Sequence, residues 1–196
     1  MWVFYDLETS GLNPQSCEAI QIGAIAVSNG IEISSFQTLV KSVDTIPEKV
    51  VEITKITDDK IKYAINLETG WEMFFDWLSS LNPVVMIGHN SNKFDKFFLD
   101  KALQRFPHTI RDRLNNPNKC LHLDTLEIVR GKSQKFSPSP KNYKLGTLVE
   151  YFNIDHDPHK CHNALYDSSI TFELFKAIVH HLSLTDVWSC PSKILS

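Results

Sequence analysis

The chain predicts a mixed α/β fold: a central five-stranded sheet whose first three strands are antiparallel, flanked by helices. Two observations carry this. Three strand-like runs follow one another within the first forty residues. From about residue 47 onward, apolar residues recur at helical spacing, interrupted only by two short buried-looking strands.

The first strand is WVFYDLE (2–8), the second AIQIGAIAV (19–27) and the third EISSFQTLVK (32–41). Gly11, Asn13-Pro14 and Asn29-Gly30 punctuate them, and Asn29-Gly30 predicts a tight hairpin between the second and third strands. PEKVVEIT (47–54) opens on a proline suited to a helix's first turn. ETGWEMFFDWLSSL (68–81) sets Trp71, Phe74, Phe75 and Leu78 on one stripe of an amphipathic helix. VVMI (84–87) predicts a buried strand ending in the loop GHN, followed by a helix from about Lys93 to Phe106. CLHLD (120–124) is the fifth strand, KLGTLVEYF (144–152) a helix, and Asn163 to His181 the last long helix. No internal repeat breaks the chain, so residues 1–182 are expected to form one domain and residues 183–196 a weakly patterned, peripheral tail.

The 196 residues suffice for one well-buried core. Hydrophobic content of 42% with 22% charged residues is ordinary for a globular domain and excludes a disordered or fibrous chain. No apolar run reaches the roughly 20 residues that span a bilayer. MWVFYDLE lacks the basic lead and cleavable apolar stretch of a secretory signal, and the four cysteines (Cys17, Cys120, Cys161, Cys190) lie far apart. The expectation is a soluble intracellular protein, cytoplasmic or nuclear, with free thiols and no membrane partner. The formal charge of −3 hides a local excess: from Arg130 to Lys144 there are five cations and no acid, interleaved with Phe136 and Tyr143. Such a stretch can follow a phosphate backbone and stack bases. A solvated Ser/Pro-rich loop explains it as well when it is taken alone.

The acids are the unusual feature. Asp6 and Glu8 stand two apart in the first strand and so point the same way. Paired carboxylates on one face repel, burial raises the cost of ionising them, and a divalent cation is the simplest compensation. Two hydrated acids at a strand end would also account for that stretch. Asp95 shares the inward stripe of its helix with Phe98 and Leu99, although an acid in the first turn is also favoured by the helix dipole. Asp167 shares a stripe with Ile170, Thr171, Leu174 and Ile178. Three separate elements thus aim carboxylates inward, which argues for a two-metal site at the sheet's edge. His162, five residues before Asp167, falls on the loop ahead of the last helix, where an imidazole can take a proton from a metal-bound water. His156, His159 and Cys161 beside it invite a zinc reading, but no second ligand pair stands at zinc-site spacing.

The ordered set DLETSG, GHNSNKFD and HNALYD resembles the DEDDh (DnaQ-like) exonucleases of the RNase H-like superfamily. LDTLEIVR (123–130) and KLGTLVEYFNI (144–154) are similar to that family's stretch before its third motif. The resemblance implies removal of nucleoside monophosphates from 3′ ends with two Mg²⁺ or Mn²⁺ ions. It implies Asp6, Glu8, Asp95 and Asp167 as metal ligands, Asp6 bridging both ions, and His162 as general base. It further implies that Thr9, Ser10 and Leu12, with Asn90, grip the terminal nucleotide. The implied partner is a single-stranded 3′ end of DNA or RNA, and a homodimer or a polymerase or repair partner stays open. Two other readings stand beside it: a binding or polymerase-associated assembly module on the same fold, and an unrelated two-metal phosphatase.

Overall fold

In the computed structural model, which describes residues 1–184 and 186–195, β1 (Trp2–Thr9) is the middle strand of a five-stranded sheet. It pairs antiparallel with β2 (Ala19–Ser28), which pairs antiparallel with β3 (Ile31–Leu39). On its other side β1 runs parallel to β4 (Val85–Gly88), which runs parallel to β5 (Leu121–Asp124), giving the order β3-β2-β1-β4-β5. Asn29 and Gly30 both adopt positive φ (52° and 77°) and join the paired residues Ser28 and Ile31. A two-residue turn of this hand matches the strands' own twist, so the hairpin forms where the sequence places it.

Helices cover both faces. α1 (Glu48–Thr54), α2 (Asp58–Ile61) and α3 (Leu67–Leu81) precede β4; α4 (Asp95–Arg105) and α5 (Arg111–Leu114) lie between β4 and β5. α6 (Thr125–Gly131), α7 (Leu145–Tyr151) and α8 (Ala164–His181) follow β5. The alternation of β1 splits the core in two. Val3, Tyr5 and Leu7 pack with Trp71, Phe74 and Phe75 of α3 and Phe98 and Leu99 of α4. Trp2 and Phe4 pack with Phe172, Phe175 and Ile178 of α8. By the same parity Asp6 and Glu8 continue the α8 face. Because β1 and β4 are parallel, the acids that end β1 and the loop that leaves β4 emerge at one end of the sheet, at the point where the strand order reverses. That is where open α/β sheets place their ligands.

Three expectations need correction. α4 starts at Asp95 rather than at Lys93, since residues 91–93 form a separate 3₁₀ turn. Phe136 is not available to stack bases: it is 2% exposed and packs against Tyr151, Phe152 and His181. The segment after residue 182 is not peripheral. Val187 and Ile194 are fully buried in the α8-side core, and the Trp188 ring lies 5.0 Å from that of Trp2. Among the described residues no helix is long and apolar enough to cross a membrane.

Candidate active site

Four carboxylates from three elements converge where β1 ends. Glu8 and Asp167 are each 8% exposed and Asp95 3%, while Asp6 is half-buried. Asp95 is held by the backbone: its Oδ1 accepts the Leu7 N–H at 3.0 Å, which ties the first turn of α4 to β1. Asp167, in the first turn of α8, accepts the His162 N–H on Oδ2 at 2.8 Å. His162 occupies the left-handed region (φ 61°), which turns the chain sharply ahead of α8 and leaves the imidazole exposed. Ligand atoms of Glu8, His162 and Asp167 all lie within 4.8 Å of one another.

The electrostatics follow from this crowding. Burial, then Asp167 and Asp95, pushes the Glu8 carboxyl up to about 8. Burial together with Asp95, Glu8 and Asp167 holds Asp6 well above the usual carboxylate range. Burial raises Asp95 to about 7 against the opposing Leu7 N–H, and Asp167 to about 6 against the His162 N–H. Among the described residues, none of the ion pairs involves any of the four acids. A cluster of hard oxygen donors of this kind fits a hard divalent cation. The neighbouring His156, His159 and Cys161 form no comparable group among the described residues.

The remaining expected contacts divide. Thr9 and Ser10 are anchored locally: the Thr9 hydroxyl donates to the Gly11 carbonyl at 2.7 Å, and Ser10 Oγ accepts from the Glu18 N–H. With Leu12, 83% exposed, they rim a cavity of about 450 Å³ that begins at Glu8 and is walled by Val50, Ile53 and Phe94. Asn90 is exposed, with φ 59°, and is not on that wall. Sequence reasoning missed Asp124. It is 2% exposed and accepts N–H bonds from Asn90 (2.8 Å), Asn92 (3.1 Å) and Leu126 (2.9 Å), so one carboxylate caps α6 and fixes the loop leading to Asp95. The signal was present: Asp124 followed three residues later by Glu127 is a helix-start pattern. His89 is structural. Its ring bridges Thr125 Oγ1 at 2.8 Å and the Tyr143 carbonyl at 2.9 Å, and burial lowers its pKa.

The family model for RNase T, described as an exonuclease, matches residues 3–175. The chain belongs to this exonuclease family. Its architecture is that of the DnaQ-like exonucleases, an RNase H-like fold, and the family makes it a nuclease and hence a hydrolase. Over 181 residues the exonuclease chain is 30% identical to the PolC-type DNA polymerase III of Caldanaerobacter subterraneus, covering 92% of this chain and 12% of that relative. Over 186 residues it is 28% identical to the PolC-type polymerase of Ureaplasma parvum, again covering 92% and 12%. The chain thus spans about one eighth of the length of these relatives. Two solved structures share the fold at 20% identity. They are E. coli Exonuclease I in complex with a dA16 oligonucleotide (TM-score 0.75; 94% of this chain, 42% of that one) and Exonuclease X in complex with 5′ overhanging duplex DNA (TM-score 0.68; 92% of each).

Proposed function

We propose that the protein is a 3′→5′ exonuclease that removes nucleoside 5′-monophosphates from single-stranded 3′ ends, DNA foremost, through a two-metal site. The observation that supports it best is the convergence of Asp6, Glu8, Asp95 and Asp167 at the carboxyl end of β1, with none of them in an ion pair among the described residues. Asp6, Glu8 and Asp167 would hold one ion and Asp6 with Asp95 the other. When bound, such ions lower the pKa of water and offset charge on phosphate and leaving oxygens.

The protein's own groups do the rest. Leu12, Thr9 and Ser10 place the terminal nucleotide in the cavity beside Glu8, and Asn90, exposed and off that wall, contacts it from outside the cavity. His162, exposed at the solvent edge and tethered to Asp167 by its own N–H, takes a proton from the attacking water. Attack at phosphorus breaks the P–O3′ bond and leaves a 3′-hydroxyl on the shortened strand. DNA is favoured over RNA because the solved relatives are DNA complexes, and the PolC likeness supports a polymerase as partner. Residues 1–182 form the catalytic unit in this reading, and Leu184, Val187, Trp188 and Ile194 add to the α8-side core. All five residues being present speaks against a module that serves assembly alone.

The test is incubation with Mg²⁺ or Mn²⁺ and 5′-labelled single-stranded DNA or RNA. The expected result is a ladder shortened from the 3′ end, abolished by chelator and by Asp6→Ala or Asp167→Ala. A second reading has one specific support, the closeness of His162 to Glu8 and Asp167: the imidazole could be a ligand. His162→Ala separates the two. A base is worth roughly 10²–10⁴ in rate with cation binding retained, whereas a ligand's loss weakens cation binding itself, read by calorimetry. Internal nicks, or inorganic phosphate as the product, would overturn the proposal.

A further inference from the structure

A second cavity, of about 370 Å³, opens on the far side of His162. It shares Thr54 with the Leu12 cavity, so the two are separated by one buried threonine and by the Glu8–His162 pair. Their linings differ. The first is mostly apolar, with Glu8 and a single lysine, Lys49, on its wall; the second carries Lys55, Lys60, Lys160 and His159 and no carboxylate. The three lysines are exposed and only lightly engaged: Lys55 Nζ donates to the neutral Glu52 carbonyl at 2.6 Å, and Lys160 meets half-exposed Asp157 only at 3.8 Å. Among the described residues, Lys60 is in none of the ion pairs. Lys55 moreover sits at the C-terminal cap of α1 with φ 57°, a left-handed position that glycine fills without strain. A lysine there is costly to the fold, and the residue lines the cavity.

We propose that this lysine-lined cavity holds phosphates of the strand upstream of the scissile bond, so that a single-stranded polynucleotide crosses the carboxylates with its terminal base on one side and its backbone on the other. The inference rests on the exonuclease reading of the site. A strand whose last base fills the Leu12 cavity places its terminal phosphodiester at Glu8 and His162, and the next phosphates arrive at the second cavity. Lysines suit such a channel because they neutralise phosphates without reading bases, and each neutralised phosphate of a single strand contributes a salt slope of roughly 0.7.

Two substrates separate this from the chemistry. A 5′-labelled single-stranded oligonucleotide has upstream phosphates; the p-nitrophenyl ester of thymidine 5′-monophosphate has one phosphodiester and none upstream. In the full chain carrying Lys55→Gly, Lys60→Gln and Lys160→Gln, the ratio of kcat/KM for the oligonucleotide to that for the ester should fall about tenfold. The dependence of log kcat/KM on log salt should flatten by roughly 0.7 or more for the oligonucleotide, and Lys60→Arg with Lys160→Arg should keep both. An unchanged ratio and slope in the triple variant overturns the inference while the exonuclease reading stands. Equal loss on both substrates also overturns it, since the charges would then act at the reacting phosphate or on the fold. Wild-type protein inert on both substrates removes the exonuclease reading and this one together.

Discussion

Glu8 shows what it means for a sheet to end in acids. Its carboxyl pKa is raised to about 8, with Asp95 at about 7 and Asp167 at about 6. Burial is the leading cause in all three, repulsion from neighbouring carboxylates adds to it at Glu8 and Asp95, and both act on the folded chain only. Between about pH 4 and pH 8 the folded chain therefore holds more protons than the unfolded one. Stability of the metal-free protein is full below the unfolded carboxyl values and is lost as pH rises through 6 to 8. In chelator, the melting temperature should fall from pH 5 to pH 8.5 by roughly 5 °C, the equivalent of about 2 kcal/mol. Glu8→Gln should flatten the profile and melt higher than wild type at pH 8.5, and added Mn²⁺ should restore the wild-type protein alone. A wild-type profile that rises with pH would mean the acids are compensated from within the chain.

At the scale of elements, the site depends on how closely α8 approaches β2. A Cβ on Gly23 would lie 2.2 Å from the Ala164 carbonyl carbon and the Leu165 nitrogen, which are backbone and have nowhere to yield. Gln21 Oε1 accepts the Ala164 N–H at 2.9 Å, and the Ser168 hydroxyl donates to the Gly23 carbonyl at 3.0 Å, so the first turn of α8 is clamped onto the strand. Asp6 stands opposite Gly23 and Glu8 opposite Gln21 in the register. Gly23→Ala should push α8 outward with Asp167 and His162, at a cost of about 1–3 kcal/mol in chemical denaturation. Nuclease activity should fall more than 10²-fold, as expected when reacting groups move by an ångström. Retained activity would show that α8 tolerates the shift. This closeness was not legible in the sequence, where Gly23 is one small residue in an apolar strand. What was legible is local: acids interrupting an apolar stripe at Asp95 and Asp167, alternation in β1, and Asn29-Gly30. α6 was missed because its seven residues are too few for a period to declare itself, although its Asp124 cap was there to read. Phe136 misled because a hydrophobic anchor in a basic loop and a base-stacking aromatic look alike until burial is known.

At the scale of the whole molecule, one strand couples two cores and the site, and it keeps them at opposite ends. β1 gives Trp2 and Phe4 to the α8 side, Val3, Tyr5 and Leu7 to the other, and its last acids to the cluster. Trp2 and Glu8 are six residues apart, about 20 Å along an extended strand. Trp188 closes the far end. Its ring lies 5.0 Å from Trp2, 5.5 Å from Phe175 and 6.1 Å from Phe172, and its carbonyl accepts the Trp2 indole N–H at 3.3 Å. The described segment after α8 thus packs into the α8-side core. Trp188→Ala should cost about 3–5 kcal/mol, the usual effect of deleting a packed tryptophan, and lower the melting temperature by roughly 6–20 °C. At 25 °C, below the transition, kcat on an oligonucleotide should stay within about twofold, because the lost contacts lie at the end of β1 remote from Asp6 and Glu8. Parallel loss of rate and stability would instead mean that strain in the far core is transmitted along β1 to the carboxylates, and that the two ends of the strand are not independent.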